Sequence, residues 1–217
     1  MEGLFPGWKE SPDALLLEGV DASDPQAVER AVGEVLSRFD HIDVLVNTVG
    51  GYRAGTPVHE TSLETWDFML NLNARTAFVV SRAVIPNMLE RGRGKIINIA
   101  SIAGLVGRDR RMYQRHGLRG QPVDYAAAKA GIIGLTRDLA GLLSPMGVHV
   151  NAISPGGFAR ENLPAGFIQD YSDRTPLGRM GREGVDLKGA VLFLASAASD
   201  YITGHNLVVD GGFSVWQ

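Results

Sequence analysis

Tyr125 and Lys129 lie four positions apart in Tyr-Ala-Ala-Ala-Lys, so a helix carrying them presents both on one face. A phenol ordinarily titrates near 10, and a neighbouring cation favours the phenolate. Lys129 is therefore expected to draw Tyr125 toward working pH and make it an acid/base group. Five tyrosines and four lysines among 217 residues would produce such a pair by chance about 0.09 times, so alone it is only suggestive. Ser101 closes the apolar run Lys95-Ile-Ile-Asn-Ile-Ala-Ser101. That places a hydroxyl at the C-terminal edge of a parallel strand, where open α/β sheets bind ligands. Without its neighbours, Ser101 reads equally well as an ordinary strand-to-loop serine. Asn47-Thr-Val-Gly50-Gly51 and Val150-Asn-Ala-Ile-Ser-Pro155-Gly156-Gly157 repeat the theme of an apolar strand opening into a turn where backbone can approach a ligand.

Positioning these groups requires strands that end on a common edge. Five short apolar runs, at 14–20, 42–47, 95–100, 148–153 and 206–210, alternate with longer amphipathic stretches. That is the pattern of strands covered on both faces by crossover helices, and it predicts an α/β, doubly wound parallel sheet of about five strands. Asp24 followed by Pro25 reads as an N-cap and first helical residue, and Val28, Ala31, Val32, Val35, Leu36 and Phe39 keep the helical period. Further helices are predicted over 63–91, 125–143 and 186–198. The Pro- and Gly-punctuated stretch 159–184 reads as a lid or loop with short helical turns.

At 217 residues the chain suits one domain over 1–217 with a sizeable core. The hydrophobic fraction is 45%, the charged fraction 21% and the net charge −3, which argues against disorder and against nucleic-acid binding by bulk charge. With no cysteine, disulfides, thiolate metal sites and cysteine nucleophiles are excluded, as suits a reducing cytoplasm. No stretch has the length of a membrane span, and no secretory leader is evident. The five histidines, 41, 59, 116, 149 and 205, lack metal-ligand spacing, so no metal site is expected. Ser101 lacks the flanking glycines of a hydrolase elbow.

Taken in order, Asn47-Thr-Val-Gly50, Asn73, Ser101, Tyr125-x-x-x-Lys129 and Pro155-Gly156 resemble the signatures of the short-chain dehydrogenase/reductase family. The resemblance runs from Leu15 to the C-terminus. It also takes in Asp21, Trp66-Asp67, Thr175-Pro-Leu-Gly-Arg-Met-Gly181, Ser199-Asp-Tyr-Ile-Thr-Gly204 and Val209-Asp-Gly-Gly212. It implies a Rossmann-like fold and hydride transfer between NAD or NADP and a small-molecule carbonyl/alcohol substrate, the cofactor supplying the chemistry. Tyr125 would be the acid/base, Lys129 would lower its pKa and hold the nicotinamide ribose, Ser101 would polarise the substrate oxygen, and Asn73 would hold a water in the proton relay. Asn47, Gly50, Pro155, Gly156 and Gly157 would flank the cofactor, with Asp21 facing its adenine. A homo-oligomer, dimer or tetramer, is implied through the helices of Asn73 and Tyr125 and the last strand.

The chain departs from that pattern by beginning after the family's first strand, glycine-rich turn, helix and second strand. No G-x-G-x-x-G occurs anywhere, so dinucleotide affinity is expected to be weak. Since an open apolar edge templates aggregation, the run 14–20 is expected to pair with 42–47 and complete five strands in sequence order. Arg160 stands where a threonine commonly touches the nicotinamide amide. Five arginines, Arg108, Arg110, Arg111, Arg115 and Arg119, lengthen the interval between Ser101 and Tyr125. They would attract an anionic substrate if they overhang the site, and otherwise read as a solvated loop or subunit contact. Two other functions stay open: a cofactor-free lyase or dehalogenase on the same fold, and a non-catalytic oligomerising module.

Overall fold

The structure is a computed structural model, and it describes residues 11–53 and 55–216. Its main sheet has four parallel strands in the order β1 (Val44–Asn47), β2 (Gly94–Ile99), β3 (Val148–Pro155) and β6 (Asn206–Val209), while β4 (Phe158–Ala159) and β5 (Gly181–Arg182) form a separate parallel pair. Asn47 pairs with Asn98, Ile99 with Ile153, and Pro155 with Val209, so the strands end together along one edge.

Side chains alternate across a strand, and neighbouring Ile96 and Ile97 on β2 serve two different cores. Ile96 packs with Val148, Val150 and the helix residues Val84, Met88, Ala140 and Leu143. Ile97 packs with Ile153 and Leu194. The first face is covered by α3 (Thr76–Arg91) and α5 (Val123–Leu143), with α1 (Pro25–Phe39) contributing Val32; the second is covered by α7 (Lys188–Ala195). Helices on both faces of a parallel sheet are the doubly wound arrangement predicted. Asp24 caps α1 as expected, its carboxylate accepting from the Gln26 backbone N–H at 2.9 Å, with Pro25 at the first position.

The predicted helix 63–91 is α2 (Leu63–Leu70), a π-helical turn at Asn71–Arg75, and α3 in unbroken succession. The predicted 186–198 shortens to α7. The stretch 159–184 contains, beyond short turns, the nine-residue α6 (Ala165–Asp173), whose Phe167 and Tyr171 are buried against Met112, Met180 and Phe213. The arginine stretch likewise contains a short helix, α4 (Arg110–Arg115).

One predicted strand is absent. Residues 14–20 form no ladder, and among the described residues nothing pairs with the outer edge of β1. Leu16 is 44% exposed, and the run ends in a turn at Gly19. The apolar run has strand composition, but nothing in it specifies an edge partner, and it is not covered on two faces. The chain just ahead of it is tied to α1, where Arg38 donates to the Pro12 carbonyl at 2.8 Å. Among the described residues no helix is long and apolar enough to cross a membrane.

Candidate active site

Ser101 follows β2 and caps the turn Ile102–Gly104, its hydroxyl accepting from the Ala103 N–H at 3.1 Å. Gly104 lets that turn lie directly on α5: a Cβ there would stand 2.6 Å from the Ala130 nitrogen and 2.7 Å from the Lys129 carbonyl carbon. The small residue therefore sets how closely Ser101 approaches Tyr125 in the first turn of α5. The Ser101 hydroxyl lies close enough to the phenol to favour its ionised form.

One turn further along α5, Lys129 is only 4% exposed. Its Nζ donates to the Ile99 carbonyl at 2.8 Å and lies 5.7 Å from the centre of the Tyr125 ring. Burial strips water from the ammonium and brings its pKa down to about 8. Burial pushes the Tyr125 phenol up, opposed by the Ser101 hydrogen bond and by the positive charge of Arg108. The phenol therefore lies above its ordinary range, and the lowering expected from Lys129 does not prevail.

The opposite wall is the turn after β1. A Cβ at Gly50 would stand 2.7 Å from Asn73 Oδ1 and 3.2 Å from Lys129 Nζ, so an alanine would fill the space between the two side chains. Asn73, fully buried in the π-helical turn, clasps Gly51: its Nδ2 donates to the Gly51 carbonyl at 2.9 Å and to the Met69 carbonyl at 3.0 Å, while Oδ1 accepts from the Gly51 N–H at 3.1 Å. The next residue, Tyr52, sets its ring edge-on to Tyr125 at 5.4 Å. A phenol and a hydroxyl beside a buried amine, at the C-terminal mouth of a parallel sheet, are groups able to polarise and protonate an oxygen.

Residues 9–214 match the family described as Enoyl-(Acyl carrier protein) reductase. A 3-oxoacyl-[acyl-carrier-protein] reductase, FabG, of Thermotoga maritima is 33% identical over 95% of this chain and 85% of its own length. Among solved structures, a short-chain dehydrogenase from Leptospira borgpetersenii with bound NAD+ superposes with TM-score 0.82 at 34% identity, over 94% of this chain and 81% of that one. The chain belongs to the short-chain dehydrogenase/reductase family. A gluconate 5-dehydrogenase from Burkholderia cenocepacia, in complex with NADP and tartrate, is similar at TM-score 0.79 and 33% identity, over 90% of this chain and 73% of that one.

Of the residues expected from this family's signatures, the structure brings Gly50, Asn73, Ser101, Tyr125 and Lys129 together and puts others to different use. Asn47 is turned into the interior, where its Nδ2 donates to Asn98 Oδ1 at 2.8 Å and Ser81 Oγ at 3.0 Å; Asn98 in turn donates to Thr136. This chain of amides and hydroxyls ties β1 and β2 to α3 and α5, and it occupies the Asn47 side chain within the interior. The Asn73 carboxamide is likewise spent on protein groups. Pro155 ends β3 at the ligand edge, but Gly156 and Gly157 are glycines for packing reasons: a Cβ would stand 2.7 Å from Asp210 Cβ and from Tyr171 Cζ respectively. Asp21 is exposed and accepts from the Ser23 N–H and hydroxyl at 2.8 and 2.7 Å, closing the turn ahead of α1. Arg160 is a surface residue, 3.4 Å from Glu183.

Tyr52 and Tyr113 were not singled out by sequence reasoning. Tyr52 directly follows the Gly-Gly turn, which was the available signal. Tyr113 has none beyond its place in the arginine stretch, where it packs on Phe167 at 5.1 Å. The five arginines themselves divide. Arg111 pairs with Asp109 at 2.9 Å and Arg115 with Asp170 at 2.8 Å. Arg110 donates to the carbonyls of Arg119 and Gln121, and Arg119 is exposed. Asp109 and Asp170 also hold Arg174 at 3.0 Å and His116 at 2.9 Å, so two carboxylates fasten 109–116 to α6 and the residue that follows it.

Proposed function

We propose that this chain is an oxidoreductase that interconverts a carbonyl and an alcohol by hydride transfer with NAD or NADP, using Tyr125 as the acid/base. The observation that carries the reading is the buried Lys129 amine, held on the Ile99 carbonyl 5.7 Å from the centre of the Tyr125 ring, where the turn of Ser101 packs directly on α5. The residues fit the nicotinamide end of such a cofactor: Gly50 leaves clear the volume a Cβ would occupy beside Asn73 and Lys129, and Lys129 lies at the same spot to hold a ribose. When bound, the dinucleotide supplies or accepts the hydride.

In the reduction direction the Tyr125 phenol, kept protonated at neutral pH by its burial, donates a proton to the substrate oxygen. The Ser101 hydroxyl donates a hydrogen bond to that oxygen and so favours the charge developing on it. Lys129, with its pKa near 8, carries its charge through neutral pH. Asn73 fixes the Gly50-Gly51 wall. Lack of cysteine suits a cytoplasmic enzyme, and the hollow where Phe78, Ile85, Pro86 and Leu139 lie beside Ser81 and Arg82 suits assembly of identical subunits.

The test is Tyr125→Phe. Reduction of a ketone panel should fall by at least about 100-fold, the usual contribution of a general acid, while calorimetric titration with NADH and NADPH should give the same affinity as the parent. Turnover undiminished in the variant would remove Tyr125 from the mechanism.

A further inference from the structure

We propose that Arg108 binds a carboxylate on the substrate, so that the enzyme acts on oxo- or hydroxy-carboxylic acids. This deepens the reading of Tyr125 and Ser101 as an oxidoreductase site and rests on it.

The argument begins with a charge that lacks a countercharge. Arg108 is half-buried, and its guanidinium donates to Gln121 Oε1 and, at 3.3 Å, to the Pro122 carbonyl. Both acceptors are neutral. A guanidinium has five N–H donors, so these two bonds leave three for another group. No carboxylate among the described residues pairs with it: Asp109, next in the chain, is taken by Arg111 and Arg174, and Asp170 by Arg115 and His116. Arg110 lies near enough to repel it. A partly desolvated charge without an opposite charge is costly, and a bound anion would relieve that cost.

The placement points to the substrate as the source of the anion. Pro122, the acceptor for Arg108, caps α5 three residues before Tyr125. That hydrogen bond holds the guanidinium at the N-terminal end of α5, whose first turn carries Tyr125, and its charge reaches the phenols of Tyr113, Tyr125 and Tyr52. A single planar fork matches the two coplanar oxygens of a carboxylate. If Arg108 merely stapled 108–122 together, its loss would affect charged and neutral substrates alike. Recognition of a carboxylate affects only the former.

The experiment compares 4-oxocyclohexanecarboxylate with its carboxamide as substrates. In parallel, it measures binding of cyclohexanecarboxylate, cyclohexanecarboxamide and cyclohexyl phosphate by calorimetry. The parent should favour the acid, and Arg108→Gln should lower the acid-to-amide ratio of kcat/KM, and of affinity, roughly ten- to hundredfold, as expected for losing charge-assisted hydrogen bonds. The control Arg111→Gln, at an exposed ion pair, should move the ratio by less than about threefold. If Arg108→Gln fails to fold, Arg108→Lys, which keeps the charge but loses the fork, should still lower the ratio. An unchanged ratio, or an amide bound as well as the acid, would overturn the proposal. Phosphate bound more tightly than carboxylate, with the same dependence on Arg108, would overturn the carboxylate assignment. Should the parent reduce neither compound nor bind a dinucleotide, the oxidoreductase reading fails, and the binding series alone decides whether Arg108 is an anion site.

Discussion

Replacing Lys129 with methionine should make the protein more stable at neutral pH while disabling it. The amine is 4% exposed and titrates at about 8 against an ordinary 10.5, so folding at neutral pH carries the cost of burying a charge. At about 1.4 kcal/mol per pH unit, the gap amounts to about 3 kcal/mol. The sign follows from proton counting. Between 8 and 10.5 the unfolded chain holds a proton that the folded one has released, so stability rises with pH across that window and is lost again as pH falls through 8. From pH 7 to about 9.5 the parent should gain about 2 kcal/mol from this group, and Lys129→Met should gain nothing from that position. At pH 7 the variant should exceed the parent by about 1 kcal/mol, once the lost hydrogen bond to the Ile99 carbonyl is deducted. Urea unfolding followed by tryptophan fluorescence at the two pH values measures both quantities. If the parent and the variant show the same change in stability between them, the ammonium is not desolvated and the reasoning is refuted.

Two other substitutions probe how the site is held. Gly104→Ala forces a methyl group to within 2.6 Å of the α5 backbone, and should cost about 1–3 kcal/mol in thermal unfolding together with a fall in kcat as Ser101 is pushed off Tyr125. Asn73→Ala removes three hydrogen bonds around Gly51 and Met69. It should cost about 2–3 kcal/mol and markedly speed hydrogen exchange at the Gly51 amide, whereas unchanged exchange there would show that the turn stands without the clasp.

The elements legible in the sequence were those whose burial is imposed from both sides. The runs that became β2 and β3 are apolar on both faces because helices cover both, and α1 announces itself through Asp24 and Pro25. The run at 14–20 misled because composition carries no information about which strand edge is free to receive it. Tyr125, Lys129 and Ser101 were readable from spacing and strand position, since one helix and one strand end suffice to place them. Asn47 was not, because a side chain at the last position of a strand can turn inward or outward, and here Ser81 and Asn98, distant in sequence, turn it inward. The arginine stretch was read as one feature, but its parts separate according to whether an aspartate is within reach. That depends on α6, whose position only the fold determines.

The widened turn at Asn71–Arg75 also explains how one long rod keeps a single inner side. One row of hidden residues along it, Met69, Asn73, Ala77, Ser81, Val84 and Met88, flanked by the equally hidden Thr76 and Val79, advances nineteen positions in five turns, whereas a regular helix would use about eighteen. Left uncorrected, that surplus residue would rotate the downstream half by about 100°, swinging either Met69 or Met88 out toward water. The π-helical turn takes up the surplus where Asn73 sits, so the same local widening that keeps the rod seated on the sheet aims a carboxamide at Gly51.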